Sequence, residues 1–196
     1  HINAVDCVTQ WEVVASCEKI SEAYLLPVLA ELLAAFPFTI LGVHADNGSE
    51  YINHRVARLL DKLNAELTKS RPRRSNDNAL AETKNGAVVR KFLGYSHIPQ
   101  RFAAPVNAFC RDYLNPYLNL HRPCLFAEER TDAKGKVVKR YPQHLVQTPL
   151  EKLASMSPAC RNLRPETTLQ ALQVQARVMS DNEAADQLQK ARSALF

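Results

Sequence analysis

An apolar stretch from Ala23 to Leu41 places the strongest limit on how this chain can fold. Large apolar residues recur at helical spacing over its first half, and a continuous apolar run, Phe38–Val43, ends it. Because Pro27, Glu31 and Pro37 interrupt the stretch, it is too broken to span a bilayer. The stretch predicts a buried helix that runs into a buried strand, and therefore a core that contains both kinds of element.

The order of the elements around that stretch predicts the fold class. Two short β-branched runs, His1–Asp6 and Trp11–Cys17, predict an antiparallel hairpin ahead of the helix, which Ser21 can cap. After the strand, Asn53 can begin a second helix, and Glu66–Lys69 predicts a short strand. Strand, strand, helix, strand, helix, strand and then further helices is an α/β order, with helices to cover a mixed sheet.

The second half of the chain divides into three kinds of segment. Residues 70–78 have no apolar member except a proline and predict a loop, and helices are expected at about 79–95 and 102–120. Beyond Pro123, the runs Leu125–Arg130 and Lys136–Tyr141 predict a basic hairpin, and Thr148 followed by Pro149 opens a short helix. We therefore predict a core at 1–123, the hairpin and short helix at 124–155, and a peripheral helical tail at 156–196.

The distribution of charge is compatible with a polyanionic partner. The formal net charge is +5, and much of the positive charge falls in two short clusters. These clusters are Lys69, Arg71, Arg73 and Arg74, and then Lys134, Lys136, Lys139 and Arg140. Each cluster could also be an ordinary solvated loop, so the charge alone leaves both interpretations open.

Two acidic residues occupy positions where an α/β fold places functional groups. Asp46 follows the predicted strand and precedes Asn47 and Gly48, which is also ordinary turn chemistry. Glu82 lies on the first turn of the helix predicted from Ala79, where a glutamate also favours the helix dipole. Thirty-five residues lie between the two acids, and the helix, strand and loop in that interval can return Glu82 to the end of the strand.

The residues around these two acids carry a resemblance to a known family. The motif VHADNGSEY at 43–51, followed by a helical Glu82 with Asn85 three positions later, resembles the integrase core of retroviruses and bacterial insertion-sequence transposases. The phrase SRPRRSNDNALAE at 70–82, followed by KN at 84–85, resembles the insertion-sequence branch in particular, as does YLNLHRP at 117–123. The resemblance covers residues 1–155.

This resemblance implies a fold and a reaction. It implies a ribonuclease H-like mixed sheet flanked by helices, in a DDE-type polynucleotidyl transferase that cuts and joins DNA strands during transposition or integration. Asp46 and Glu82 would hold two Mg²⁺ or Mn²⁺ ions together with a third acid, since these hard cations prefer carboxylate oxygens. The residues expected to contact DNA are Arg71, Arg73, Arg74, Lys84, Asn85 and Arg90.

The resemblance also implies partners and a location. The DNA partners would be the transposon ends and the target, and the complete enzyme would be a homo-oligomer without a membrane association. The expected location is the bacterial cytoplasm, at the nucleoid. The expected contacts would place Arg71, Arg73, Arg74, Lys84 and Arg90 on one positive surface beside the two acids.

The chain departs from the family pattern at two points. In the resembled fold the first acid lies on the first strand, and two further strands precede the first helix. Since only one predicted strand separates Asp6 from Ser21, we expect the first acid and its central strand upstream of His1, with Asp6 as the open alternative. The family often has a basic residue seven positions after the catalytic glutamate, where this chain has Val89 followed by Arg90.

Two other functional classes stay open at this point. A ribonuclease H-type nuclease would share the fold and the metals, and a catalytically incompetent fragment would bind DNA through its basic surfaces alone. A metal-dependent nicking assay separates the enzymes from the binding module. Without the first strand, we expect the 196-residue chain to be inactive in strand transfer and to be marginally stable.

Overall fold

The computed structural model describes residues 1–19, 21–45, 54–62, 65–69, 78–132 and 135–196. The strands are β1 (Ile2–Val5), β2 (Glu12–Ala15), β3 (Gly42–Ala45), β4 (Glu66–Lys69), β5 (Cys124–Leu125), β6 (Glu128–Thr131), β7 (Val137–Arg140) and β8 (Val146–Gln147). The helices are α1 (Glu22–Ala34), α2 (His54–Lys62), α3 (Ala79–Lys84), α4 (Lys91–Leu93), α5 (Ala103–Phe109), α6 (Pro149–Ser155), α7 (Pro158–Arg161), α8 (Leu169–Ala176) and α9 (Asp181–Leu195). The chain is therefore a mixed α/β protein, as predicted.

The first two strands form the predicted antiparallel hairpin. Ile2 pairs with Ala15 and Val5 pairs with Glu12. Asp6 closes the turn, because its Oδ2 accepts hydrogen bonds from the backbone N–H and the hydroxyl of Thr9, each at 2.6 Å. The hairpin is thus held by both its strand ladder and a local side-chain cap.

The second strand pair is parallel, and its first strand begins later than predicted. Gly42–Ala45 pairs with Glu66–Lys69 in register. The predicted strand Phe38–Val43 was therefore wrong in its start. Phe38 instead makes a single bridge to Leu163, and Thr39 N–H donates to the Asn162 carbonyl at 2.8 Å. The apolar run is divided between a sheet and the C-terminal part of the chain.

Two apolar clusters pack on opposite sides of β2. Because successive side chains of a strand point to opposite faces, Val13 enters the first cluster and Val14 enters the second. The first cluster includes Trp11, whose ring meets Phe38 edge-on at 6.3 Å between centroids, as expected for a core residue. The second includes Leu114 among residues of the two long helical segments. The hairpin is thus central to the core.

The two predicted long helices are present at 79–93 and 103–121, and each contains widened turns. Residues Asn85–Arg90, Cys110–Leu114 and Tyr117–His121 are π-helical. The first of these helices ends at Leu93 because Gly94 adopts a positive φ of 84°, a conformation that side chains with a Cβ rarely adopt. Wide π turns of this kind are frequent at functional sites.

The C-terminal third contains the predicted basic hairpin and the short capped helix. Strands β6 and β7 pair antiparallel, with Glu128 opposite Arg140. Thr148 and Glu151 form a reciprocal capping box at the start of α6, as the Thr-Pro sequence predicted. The helical tail was expected to be peripheral, but Leu188 of α9 is 3% exposed and packs in the second cluster.

The domain boundaries at 123 and 155 stay predictions.

Among the described residues, no helix is both long enough and apolar enough to cross a membrane.

Candidate metal and DNA site

A groove of about 1200 Å³ lies between the β1–β2 hairpin and the β3–β4 pair. All four residues of β1 and all four residues of β3 line it, and Glu82 and Asn85 line it from the helix that starts at Ala79. The groove therefore joins three of the elements in which the sequence predicted functional residues.

Glu82 is exposed on the first turn of α3 and faces this groove. Its carboxylate makes no ion pair within the described part of the chain, so its oxygens are accessible from the groove. Ala45, which immediately precedes Asp46, lines the same groove. Asp46 itself lies outside the described residues, so the predicted convergence of the two carboxylates stays a prediction.

The parallel pairing of β3 and β4 brings two chain segments to one edge of the sheet. Ala45 is opposite Lys69, so both strands end at the same level and in the same direction. Asp46 and the sequence that includes Arg71, Arg73 and Arg74 therefore both follow strand ends at this carboxyl edge. Functional groups of α/β sheets gather at such edges. The three arginines lie outside the described residues.

Lys84 is not on the positive surface where the sequence analysis expected it. The residue is 8% exposed, and its Nζ lies 3.5 Å from Oε2 of Glu12 and 3.1 Å from Sγ of Cys124. The helical face that carries Lys84 is turned toward β2 and β5 and away from the solvent. This placement corrects the expectation that Lys84 contributes to an exposed basic surface.

The partner of Lys84 is a carboxylate that the sequence analysis did not identify. Glu12 is 1% exposed, so its carboxylate depends on the neighbouring ammonium of Lys84 for charge compensation. Burial raises the pKa of Glu12, and the charges of Lys84 and Arg122 oppose that rise. The only local signal was a glutamate inside the apolar run Trp11–Cys17. A buried ion pair of this kind anchors α3, and therefore Glu82, to the hairpin.

Asn85 and Arg90 are both exposed, as their expected DNA contacts require. Oδ1 of Asn85 accepts a hydrogen bond from Nδ2 of Asn3 at 3.1 Å, which forms a second link between this helix and β1. Arg90 packs over the ring of Tyr95 at 5.9 Å. Val89, at the position where the family often has a basic residue, is partly buried in the second apolar cluster.

Asp6, the alternative first acid, also lines the groove, but its carboxylate is engaged in the turn. Besides its two bonds to Thr9, Oδ2 accepts the Val8 N–H at 3.2 Å. Within the described residues, no three or more His, Cys, Asp or Glu side chains cluster as a metal site. The oxygen donors and accessibility of Glu82 nevertheless fit a hard divalent cation.

The outer edge of β2 is covered by three asparagine side chains from the helical segment 103–121. Asn119 Oδ1 accepts the Glu12 N–H and its Nδ2 donates to the Glu12 carbonyl, both at 2.7 Å. Asn115 makes the same pair of bonds to Val14, and Asn107 makes it to Ser16. The primary amides thus satisfy the β2 backbone as a neighbouring strand would.

Comparison with known proteins matches this chain to part of a longer relative. No family model matches the chain. The chain is 33% identical over 136 residues to an uncharacterized protein, y4rM, of Sinorhizobium fredii (strain NBRC 101917 / NGR234). The match covers 69% of this chain and 39% of that relative, so this chain spans about two fifths of the relative's length.

Proposed function

We propose that this chain forms part of a ribonuclease H-like catalytic core that cleaves and transfers DNA strands in transposition or integration. The observation that carries the proposal is the arrangement of the groove. The exposed carboxylate of Glu82 lies in it, and the residue before Asp46 lines it at the carboxyl edge of a parallel strand pair. The sequence resemblance around both acids supports the same assignment.

Each site residue has a distinct task in this proposal. Asp46 and Glu82 would hold Mg²⁺ or Mn²⁺, with two ions in the complete site. When bound, these ions activate the attacking water or DNA 3′-hydroxyl and stabilise the leaving 3′-oxygen. Asn85 lines the groove beside Glu82, so it would orient a phosphate there. Arg90, Arg71, Arg73 and Arg74 would hold the DNA backbone through contacts that weaken as salt is added.

The third carboxylate is proposed to arrive on a further strand beside β1. In an antiparallel pair, successive residues of a strand point their backbone N–H and C=O groups alternately toward the partner strand and away from it. Glu12, Val14 and Ser16 direct these groups away from β1, to the asparagines. It follows that Asn3 and Val5 direct their backbone groups away from β2, on the edge of β1 that lines the groove. Such an edge can accept a strand, which supports the expected position of the central strand.

The proposal is tested by DNA nicking with the full-length protein, meaning this chain extended upstream to include an apolar strand that carries an Asp. Supercoiled plasmid would be incubated with Mg²⁺, with Mn²⁺ or with a chelator, for the wild type and for Asp46→Asn and Glu82→Gln. Glu66→Gln is the matched control, because Glu66 is an exposed carboxylate that lines the same groove. We expect metal-dependent nicking that the first two substitutions abolish and the control retains.

Two results would contradict the proposal. Nicking that survives both Asp46→Asn and Glu82→Gln would assign catalysis to other residues. Metal-independent DNA binding without nicking would favour the binding module.

A further inference from the structure

The longest acid-free segment of the chain follows Glu82. From Thr83 to Arg111 the sequence has no Asp or Glu, yet it contains several basic residues. Arg90, Lys91 and Arg101 are exposed, and within the described residues none of them makes an ion pair. These three residues therefore present positive charge that no ion pair of the described residues neutralises, whereas Lys84 and Arg111 of the same segment are paired with Glu12 and Asp112.

The basic hairpin differs in this respect. Arg130 lies 3.1 Å from the carboxylate of Glu128, and Lys139 lies 3.7 Å from that of Glu129. Two of the hairpin cations are thus partly neutralised by glutamates of the same hairpin. Uncompensated cations attract a polyanion more strongly than paired ones, so the segment after Glu82 is the better anion-binding surface of the two.

An aromatic side chain projects from the same segment. The positive φ of Gly94 ends the helix and turns the chain outward, and the next residue, Tyr95, is 86% exposed. The guanidinium carbon of Arg90 lies 5.9 Å from the centre of the Tyr95 ring. Arg101 is similarly placed over Phe102, at 4.9 Å. We call Arg90, Lys91, Tyr95 and Arg101 the Tyr95 patch.

An exposed aromatic ring beside an unpaired cation, with further unpaired cations in the same segment, has the chemistry that binds single-stranded nucleic acid. A base stacks on the ring, and the cations contact the flanking phosphates without reading sequence. Within a duplex, every base away from the ends is stacked on both sides, so a protruding tyrosine finds no free base face there. The ring therefore favours a strand with an unpaired nucleotide over a continuous duplex.

We propose that the Tyr95 patch binds an unpaired nucleotide of DNA, with the base stacked on Tyr95 and the adjacent phosphates against Arg90 and Lys91. The inference rests on the proposed function for its partner. The helical segment ends at Leu93, eleven residues after Glu82 and roughly 16 Å along the helix at about 1.5 Å per residue, and Tyr95 follows two residues later. A DNA strand cut near Glu82 could therefore reach the patch with its unpaired end.

The test compares two DNA ligands in the presence of a chelator, so that no cleavage contributes. One is a blunt duplex, and the other is the same duplex with a single-stranded overhang that carries 2-aminopurine. We expect the full-length protein to bind the overhang DNA more tightly and to quench the 2-aminopurine fluorescence. Tyr95→Leu should lower the overhang affinity roughly 5- to 100-fold and abolish the quenching, while Tyr95→Phe should retain both.

Tyr24 supplies the matched control. It is 38% exposed, and Lys19 lies 5.7 Å from its ring centre, but it belongs to α1, outside the acid-free segment. Tyr24→Leu should leave overhang binding and quenching unchanged. Equal affinity for blunt and overhang DNA, or unchanged quenching in Tyr95→Leu, would overturn the inference.

The outcome is separable from that of the proposed function. Because binding is measured without metal, the preference for the overhang reports on the patch and not on cleavage. Quenching that depends on Tyr95 would support the patch even if Glu82→Gln still nicked DNA. Conversely, nicking lost in Glu82→Gln together with no overhang preference would overturn the patch and leave the proposed function intact.

Discussion

The two edges of the β1–β2 hairpin have different neighbours. On the β2 edge, three asparagine amides bond to the backbone of Glu12, Val14 and Ser16. On the β1 edge, no further strand pairs within the described residues, and the strand lines the groove that contains Glu82. An uncovered strand edge is a template for pairing, so the chain covers one edge and keeps the other accessible.

This difference assigns the two edges different roles. The β2 edge is buried against the helical segment 103–121, and the ion pair of Glu12 with Lys84 lies beside it. The β1 edge is bordered instead by the helix that carries Glu82 and Asn85. The covered edge stabilises the fold. The accessible edge has backbone groups free to pair with another strand or with substrate in the groove.

The largest expected effect follows from removing the charge partner at the covered edge. Lys84→Met should destabilise the protein by about 3–5 kcal/mol, because Glu12 is then a buried carboxylate without its cation. Chemical denaturation measures this change. Lys91→Met, an exposed lysine on the same helical segment, is the control and should change stability by less than about 0.5 kcal/mol. A similar loss in both variants would show that Glu12 does not depend on Lys84.

The stability loss of Lys84→Met should also depend on pH. Burial raises the pKa of Glu12 above its usual 4.5, so the folded state holds that proton more tightly than the unfolded state. The folded state therefore gains relative stability as the pH falls from neutral toward 4.5. The deficit of Lys84→Met against the wild type should shrink over that interval, and a deficit that grows would contradict the assignment.

An intermediate loss of stability is expected from substituting the three asparagines that cover the β2 edge. Asn119→Ala leaves the buried N–H and carbonyl of Glu12 without partners, which should cost about 1–3 kcal/mol. Asn115→Ala and Asn107→Ala should cost less, because those sites are partly exposed and water can replace the amide. Thermal unfolding gives the order, with the exposed Asn182→Ala as the neutral control. Equal losses of stability at all three positions would mean that the cost does not depend on how deeply each asparagine is buried.

The smallest effect is expected at the accessible edge. Val5→Pro removes a backbone N–H that faces the groove, and proline is tolerated at such edge positions, so the loss should be below about 1 kcal/mol. Ala4→Pro, one residue earlier, removes an N–H that points to β2 and should cost about 1–3 kcal/mol more than Val5→Pro. Denaturation of the two variants measures this contrast. The reverse order would show that the groove-facing edge has been assigned to the wrong residues.

The elements that could be predicted from sequence are those determined by local patterns. Two short β-branched runs identified the hairpin, and the Thr148 cap identified α6. The start of β3 could not be predicted, because Phe38 pairs with Leu163 and only the residues opposite Glu66–Lys69 pair as a strand. Pairing partners that are distant in sequence, and not the apolar run itself, decide where this strand begins.

The candidate site shows the same limit. Glu82 could be placed on a first helical turn from its sequence context, and the structure puts it there. Lys84 was expected on the surface as a DNA contact, but the helical period turns it toward Glu12, in a strand far away in sequence. The asparagines that cover β2 also gave no local signal, since each bonds to a backbone in another part of the chain.

The central claim, a metal held between residues 46 and 82 in the groove, is tested most directly by iron-mediated cleavage of the polypeptide. The full-length protein bound to DNA would be loaded with Fe²⁺ in place of Mg²⁺ and treated with ascorbate, so that radicals cut the backbone near the ion. The account predicts cuts close to Asp46 and close to Glu82, both lost in Glu82→Gln and in the presence of excess Mg²⁺. Cuts confined to other segments, or cuts that persist in Glu82→Gln, would contradict it.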